Sequence, residues 1–204
     1  MPSFLKQLIS GSSNYFNPSS NMLCIRASTT SPGTMIVQPE GSPANAPPLF
    51  SMVPQGPADA MTRVLVFRGI SDPYAGYNQN PPIGHADYAS SSKPNELVVR
   101  GYKMTTKMDM SGNFKVKGGP GGDLKWKMNQ LTGSSTLTLT DGAGNKLAKT
   151  KVKMGGFGNQ RVEMLVTGDD FLVEVAVMSA YQTKMLNDRV ESAAAEVIQA
   201  VGGM

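Results

Sequence analysis

The sequence predicts a mainly β domain that ends in a helical segment. Three observations carry this. The 22 glycines and 14 prolines among 204 residues cut most of the chain into short pieces. Many of those pieces alternate apolar and polar residues, the period of a half-buried strand. The stretch from 169 to 186 has no Gly or Pro and is too long for an ordinary strand. A chain of this length has the size of one large domain and buries about two-thirds of the surface its unfolded form exposes.

Residues 1 to about 60 are rich in Ser, Pro, Asn and Gly, with apolar pieces at 22–25, 35–37 and 49–53. Those pieces read as strands strung on long loops, or as part of a disordered tail. Further on, strands are expected at 64–67, 83–88, 97–100, 114–117, 124–128, 136–140, 146–154 and 161–166. Leu124, Trp126 and Met128 share one face and Lys125 and Lys127 the other, because successive strand side chains point to opposite sides. Leu137 and Leu139 alternate with threonines in the same way, and Asp141 to Asn145 is a turn into the next strand.

After Gly168, Asp169 and Asp170 suit a helix N-terminus. Val173, Val175 and Val177 would equally suit a buried strand, but the length favours helix. From Phe171 to Tyr181 only Glu174 is charged, so this helix is apolar nearly all round and has to be surrounded by protein. A second, amphipathic helix is expected over 188–204. Asp188 and Glu191 have capping-box spacing, and Val190, Ala194, Val197 and Val201 form one stripe before Gly202 and Gly203.

The order of short strands before a nearly all-apolar helix resembles the tubby C-terminal-like superfamily, which includes phospholipid scramblases and LURP-one-related proteins. The likeness is nearest to small fungal members and covers about residues 60 to 187. Pro82-Ile83-Gly84-His85-Ala86-Asp87-Tyr88 is similar to their IG-x-A-x-F strand. Leu124-Lys125-Trp126-Lys127 is similar to a strand centred on Trp-Lys. Leu137-Thr138-Leu139-Thr140-Asp141, with Gly144 and Leu147-Ala148-Lys149, resembles their L-x-L-x-D-x-x-G-x-x-L-A-K hairpin. Val162 to Val166, then Asp169 to Tyr181, resemble the last strand and core helix. The resemblance implies a closed antiparallel β-barrel around a central hydrophobic helix. With the residue patterns at either end, the chain is expected to divide into a flexible segment 1–20, a barrel 21–187 with its core helix at 169–187, and the amphipathic helix 188–204, which extends beyond where such proteins often stop. Glu174 departs from the pattern, since a buried carboxylate needs a partner or a gap in the barrel wall.

No enzyme site is legible. His85 is the sole histidine and reads as a strand residue on a polar face, with Asp87 pointing the same way. Cys24 is the sole cysteine, so no internal disulfide or CxxC site can form, and a buried inert thiol is the expectation. The glycine-rich 118–122 and 155–158 match neither phosphate-binding fingerprint and read as hairpin loops. No metal-ligand spacing and no cofactor motif is present, and no window approaches a membrane span. With no secretory h-region and no glycosylation sequon, a cytoplasmic protein is expected.

Charge is the unusual feature. Residues 100 to 161 hold twelve Lys or Arg against three acids, a net of +9, while 162 to 204 carry −5. Lys115, Lys117, Lys125, Lys127, Lys149, Lys151 and Lys153 all occupy the outward phase of expected strands. Such a face keeps a β-protein soluble, or it attracts anionic phospholipid at about 1 kcal/mol per basic residue. Nucleic acid is disfavoured because no exposed aromatics interleave with the lysines. The resemblance adds to the lipid reading and implies a membrane-peripheral, phosphoinositide-like docking module. The alternative is an assembly protein that joins copies or a partner through its N-terminal arm and C-terminal helix.

Overall fold

The computed structural model describes residues 21–56, 62–70, 81–88, 93–128, 136–151, 160–166 and 169–202. Segment 1–20 and positions 152–159, with Lys153 among them, lie outside the described residues. The strands are β1 (Met22–Ala27), β2 (Met35–Pro39), β3 (Phe50–Gln55), β4 (Arg63–Arg68), β5 (Gly84–Asp87) and β6 (Asn95–Val99). They continue as β7 (Tyr102–Met108), β8 (Phe114–Lys117), β9 (Leu124–Met128), β10 (Thr136–Thr140), β11 (Lys146–Lys151) and β12 (Gln160–Met164), followed by helix α1 (Asp170–Gly202). Each strand pairs antiparallel with its sequence neighbours, and β1 pairs with β12 to close a barrel. Closure leaves no unpaired sheet edge.

Eight strands make a barrel that side chains alone can fill, and diameter grows with strand number, so twelve leave room for a helix about 10 Å across. Helix α1 occupies that space. Every residue from Val173 to Leu186 is buried, against inward residues such as Leu23, Val64, Leu97, Phe114, Trp126 and Leu139. The strand alternative for Val173, Val175 and Val177 fails because the β1–β12 pairing already closes the sheet. Ala176, Ser179 and Ala180 keep the rod narrow, and three polar contacts fix its rotation. The indole Nε1 of Trp126 donates to Ser179 Oγ at 2.9 Å, and that hydroxyl donates to the Val175 carbonyl at 2.6 Å. The Gln160 amide donates to the Ala180 carbonyl at 3.1 Å. The Gln182 amide donates to the carbonyls of Asp87 and Glu96 on two neighbouring strands.

Glu174 has its partners. It is 1% exposed and lies where the helix enters the barrel, between Arg68 at the end of β4 and Arg100 in the β6–β7 turn. Arg68 Nη2 reaches Oε1 at 2.8 Å, and Arg100 donates from Nε to Oε2 at 2.7 Å and from Nη2 to Oε1 at 2.9 Å. Asp170, one helical turn earlier, accepts from both arginines. The β6–β7 hairpin has two central residues at positive φ, Arg100 at 48° and Gly101 at 82°. Arginine in that conformation costs about 1–2 kcal/mol, and its double hold on a buried carboxylate offsets the cost.

Two expectations need correction. The two helical segments are one: α1 runs unbroken through Asn187, and Asp188 lies within it, paired with Lys184 one turn back rather than capping a new start. No Gly or Pro stands between 169 and 201 to end the first helix. Strand β7 has no counterpart among the expected strands, because its inward phase, Met104, Thr106 and Met108, is broken by a threonine and its Tyr102 is exposed like Lys103, Thr105 and Lys107. The stretch after β2 takes the first of its two expected forms, a long loop between strands, in which the Gln38 amide donates to the Ala46 carbonyl and Ser42 Oγ to the Pro39 carbonyl at 2.6 Å.

Burial pushes the Tyr181 hydroxyl up to about 12 and holds that of Tyr88 well above its ordinary 10.0. Both raised values mean that the folded state keeps protons which the unfolded chain sheds above 10, so stability is lost as pH climbs past that point. In a spectrophotometric titration, Tyr88 and Tyr181 should stay un-ionised until alkaline unfolding. Ionisation of both near pH 10 in folded protein would contradict the enclosed helix. Urea denaturation tests the ionic cluster. Glu174→Gln leaves two half-exposed arginines to water and should cost about 1–3 kcal/mol. Arg68→Ala with Arg100→Ala strands a buried carboxylate and should cost about 3–5 kcal/mol. The opposite ranking would contradict the reading.

Candidate functional site

The basic strands are neighbours. β7 to β11 follow one another around the barrel, so their outward side chains form one continuous surface. The register makes rows of them. Lys107 stands directly opposite Lys115, Lys115 opposite Lys125, Lys125 opposite Thr140, and Thr140 opposite Lys146. A second row runs Lys127, Thr138, Lys149 and then Glu163 on β12. Lys117 lies opposite Thr105, and Lys151 opposite Arg161. Of the seven lysines expected on this face, six therefore fall on the described strands β8, β9 and β11. Lys107 and Lys146, which sequence reasoning left out, complete the first row.

The few acids of this region do not sit in the middle of the face. Each of the three between 100 and 161 lies in a hairpin loop. Asp109 Oδ1 accepts the backbone N–H groups of Ser111 at 3.1 Å and Asn113 at 3.0 Å. Asp141 accepts the backbone N–H of Asn145 at 2.8 Å and its side-chain amide at 2.9 Å. Asp123 accepts the Gly118 N–H at 3.4 Å across the glycine-rich loop, where Gly118 and Gly122 take φ of 86° and 88°. Asp109 does reach Lys115 at 4.0 Å and Lys125 at 3.7 Å. Among the described residues, no carboxylate comes within ion-pair reach of Lys107, Lys117, Lys127, Lys146 or Lys149.

A groove of about 850 Å³ opens beside the β7–β8 hairpin, lined by Lys107, Lys115 and Lys117, by Met108 and Met110, and by Asn187 of the helix. Met110 is wholly exposed at the hairpin tip. The tip is held in shape by the Asp109 hydrogen bonds and by Gly112 at φ 73°. Lysines therefore stand beside an exposed apolar side chain carried on a shaped turn.

His85 is placed by the fold in company that sequence spacing does not show. It and Asp87 face outward from β5, and Glu96 of β6 brings Oε1 to 3.1 Å from His85 Nε2. Cys24 is half-buried on β1, and burial raises its thiol pKa in spite of the nearby Arg26 and Arg161. Among the described residues no helix is long and apolar enough to cross a membrane. No family model, curated protein or solved structure matches the chain. The class defined by fold and surface is thus a twelve-stranded antiparallel barrel, with a helix in its bore and a lysine-rich outer wall.

Burial acts to raise the Asp109 carboxyl, and hydrogen bonds from Asn113 and Ser111 outweigh it, leaving the group below its ordinary 3.8. Asp141 is lowered too, mainly by the Asn145 side chain. A lowered folded value contributes stability that is present above the unfolded pKa and lost as pH falls through the folded one. Unfolding free energy should therefore drop below about pH 4, and replacing Asp109 and Asp141 by Asn should flatten that acid limb in urea titrations. An unchanged limb in the double variant would contradict the role given to these turns.

Proposed function

We propose that the protein is a non-enzymatic, tubby-like binding module that docks on anionic membrane lipid through the outer face of β7–β11. The observation that carries this reading is the row of Lys107, Lys115 and Lys125, directly opposed across two strand pairings. Like charges directly opposite one another on a sheet are destabilising. An anionic surface turns that cost into attraction worth about 1 kcal/mol per basic residue, which salt weakens. Lys117, Lys127, Lys149 and Lys151 extend the same face. Met110 adds apolar burial, for which a methionine is worth about 1.5–3 kcal/mol when fully transferred. The closed barrel around a C-terminal helix is the architecture that the tubby-like resemblance implies, and it supports the assignment without naming the lipid. The reading puts the protein at the cytoplasmic face of a membrane.

Assembly is a second reading, favoured by one observation. Helix α1 continues to Gly202, well past Leu186, and this length of helix beyond the core stretch supports a contact with a partner or another copy. A strict monomer by light scattering at high concentration would remove that basis.

Co-sedimentation tests the main reading. Recovery should be high with phosphoinositide-containing vesicles at low salt and poor with neutral ones. Lys107→Gln, Lys115→Gln and Lys125→Gln together should weaken binding about 100-fold, from about 1 kcal/mol each. Met110→Ser should weaken it by a smaller factor that persists at high salt. Equal recovery with neutral and anionic vesicles would contradict the proposal.

A further inference from the structure

We infer that His85, Asp87 and Glu96 form a binding site for a zinc-like divalent transition-metal ion on the outer wall of the barrel, on strands β5 and β6. Alternation along β5 puts His85 and Asp87 on one face, two residues apart. The antiparallel register pairs His85 with Val98 and Ala86 with Leu97, which carries Glu96 alongside Asp87 and diagonal to His85. One donor atom from each of the three side chains lies within 4.8 Å of the other two. Around a zinc ion, donors at about 2.0–2.2 Å from the metal sit roughly 3.4 Å apart, so small side-chain rotations close the set. The His85 Nε2 to Glu96 Oε1 distance of 3.1 Å is already of that size.

The chemistry of the set selects the ion. One imidazole nitrogen and two carboxylates suit zinc and its neighbours and leave a position for water, whereas magnesium and calcium prefer oxygen-only shells. The backbone beneath is fixed. Gln182, buried on α1, donates to the carbonyls of Asp87 and Glu96, the two residues that supply the carboxylates. Arg63 orients Asp87 from Nε at 2.7 Å and Nη2 at 3.2 Å, and each carboxylate oxygen retains a second lone pair. Ligating carboxylates are commonly held by such outer hydrogen bonds.

Two cations face the site and oppose the ion, Arg63 and Lys103, whose Nζ lies 3.9 Å from Glu96 Oε2. Lys103 is mostly exposed and only marginally paired, so its removal should help the metal rather than disturb the fold. Titration calorimetry of untagged, full-length protein with zinc chloride in a non-chelating buffer should show one ion bound per chain. His85→Gln should weaken binding at least 10-fold with unchanged urea stability. Lys103→Ala should tighten it several-fold. The inference is overturned by the absence of saturable binding, by wild-type affinity in His85→Gln, or by a Lys103→Ala variant that binds no more tightly.

Discussion

A helix that is apolar nearly all round cannot lie on a surface, and this constraint organises the rest of the molecule. From Val173 to Leu186 no side of α1 is presented to water. Bundles and sandwiches cover one stripe of a helix, while a closed sheet covers all of it. Twelve strands are wide enough, and closing β1 onto β12 leaves no edge. Because the bore is filled with apolar side chains, strand alternation sends the polar ones outward. The lysine rows are a consequence of the helix being inside.

An enclosed rod needs its rotation and depth set, and apolar contacts alone do this weakly. Polar groups do it here. Trp126, Gln160 and Gln182 bond to Ser179, to a helix carbonyl and to strand carbonyls, each on a different part of the wall. At the mouth, Glu174 and Asp170 meet Arg68 and Arg100. A buried ion pair is a poor source of net stability but a strong penalty on wrong arrangements, because a helix shifted by one turn would leave the carboxylate alone. The positive φ of Arg100 belongs to the same device, since the turn is strained to aim that side chain inward.

Much of the fold was legible in the sequence where one period repeated. Leu124 and Trp126, and Leu137 and Leu139, each declared an inner face, and Asp141 to Asn145 declared its turn. The length and apolarity of the stretch after Gly168 declared the core helix. Strand β7 was hidden because Thr106 interrupts the inward methionines Met104 and Met108 while Tyr102 is exposed like the lysines, so its apolar period is blurred. The helix end was misplaced because Asp188 mimics a cap while its actual partner, Lys184, lies within the same helix. The lysine face was legible as a phase within strands, but not as rows, since register between strands is written in no single segment. The partners of Glu174 and the approach of Glu96 to His85 are contacts between distant strands and leave no local trace.

The outer wall divides into a basic stretch over β7–β11, where acids are confined to the hairpins, and a mixed stretch over β4–β6, where His85, Asp87, Glu96 and Arg63 meet. Both depend on the barrel staying closed around its helix. Site-resolved amide hydrogen exchange reads that most directly, because buried segments that open only with the whole fold share one opening free energy. The amides of Val173 to Leu186 should exchange only through global unfolding, with protection matching β1 and β6. Exchange of those amides through a lower-energy opening, while the strands stay protected, would show that the helix leaves the barrel by itself and would contradict the account.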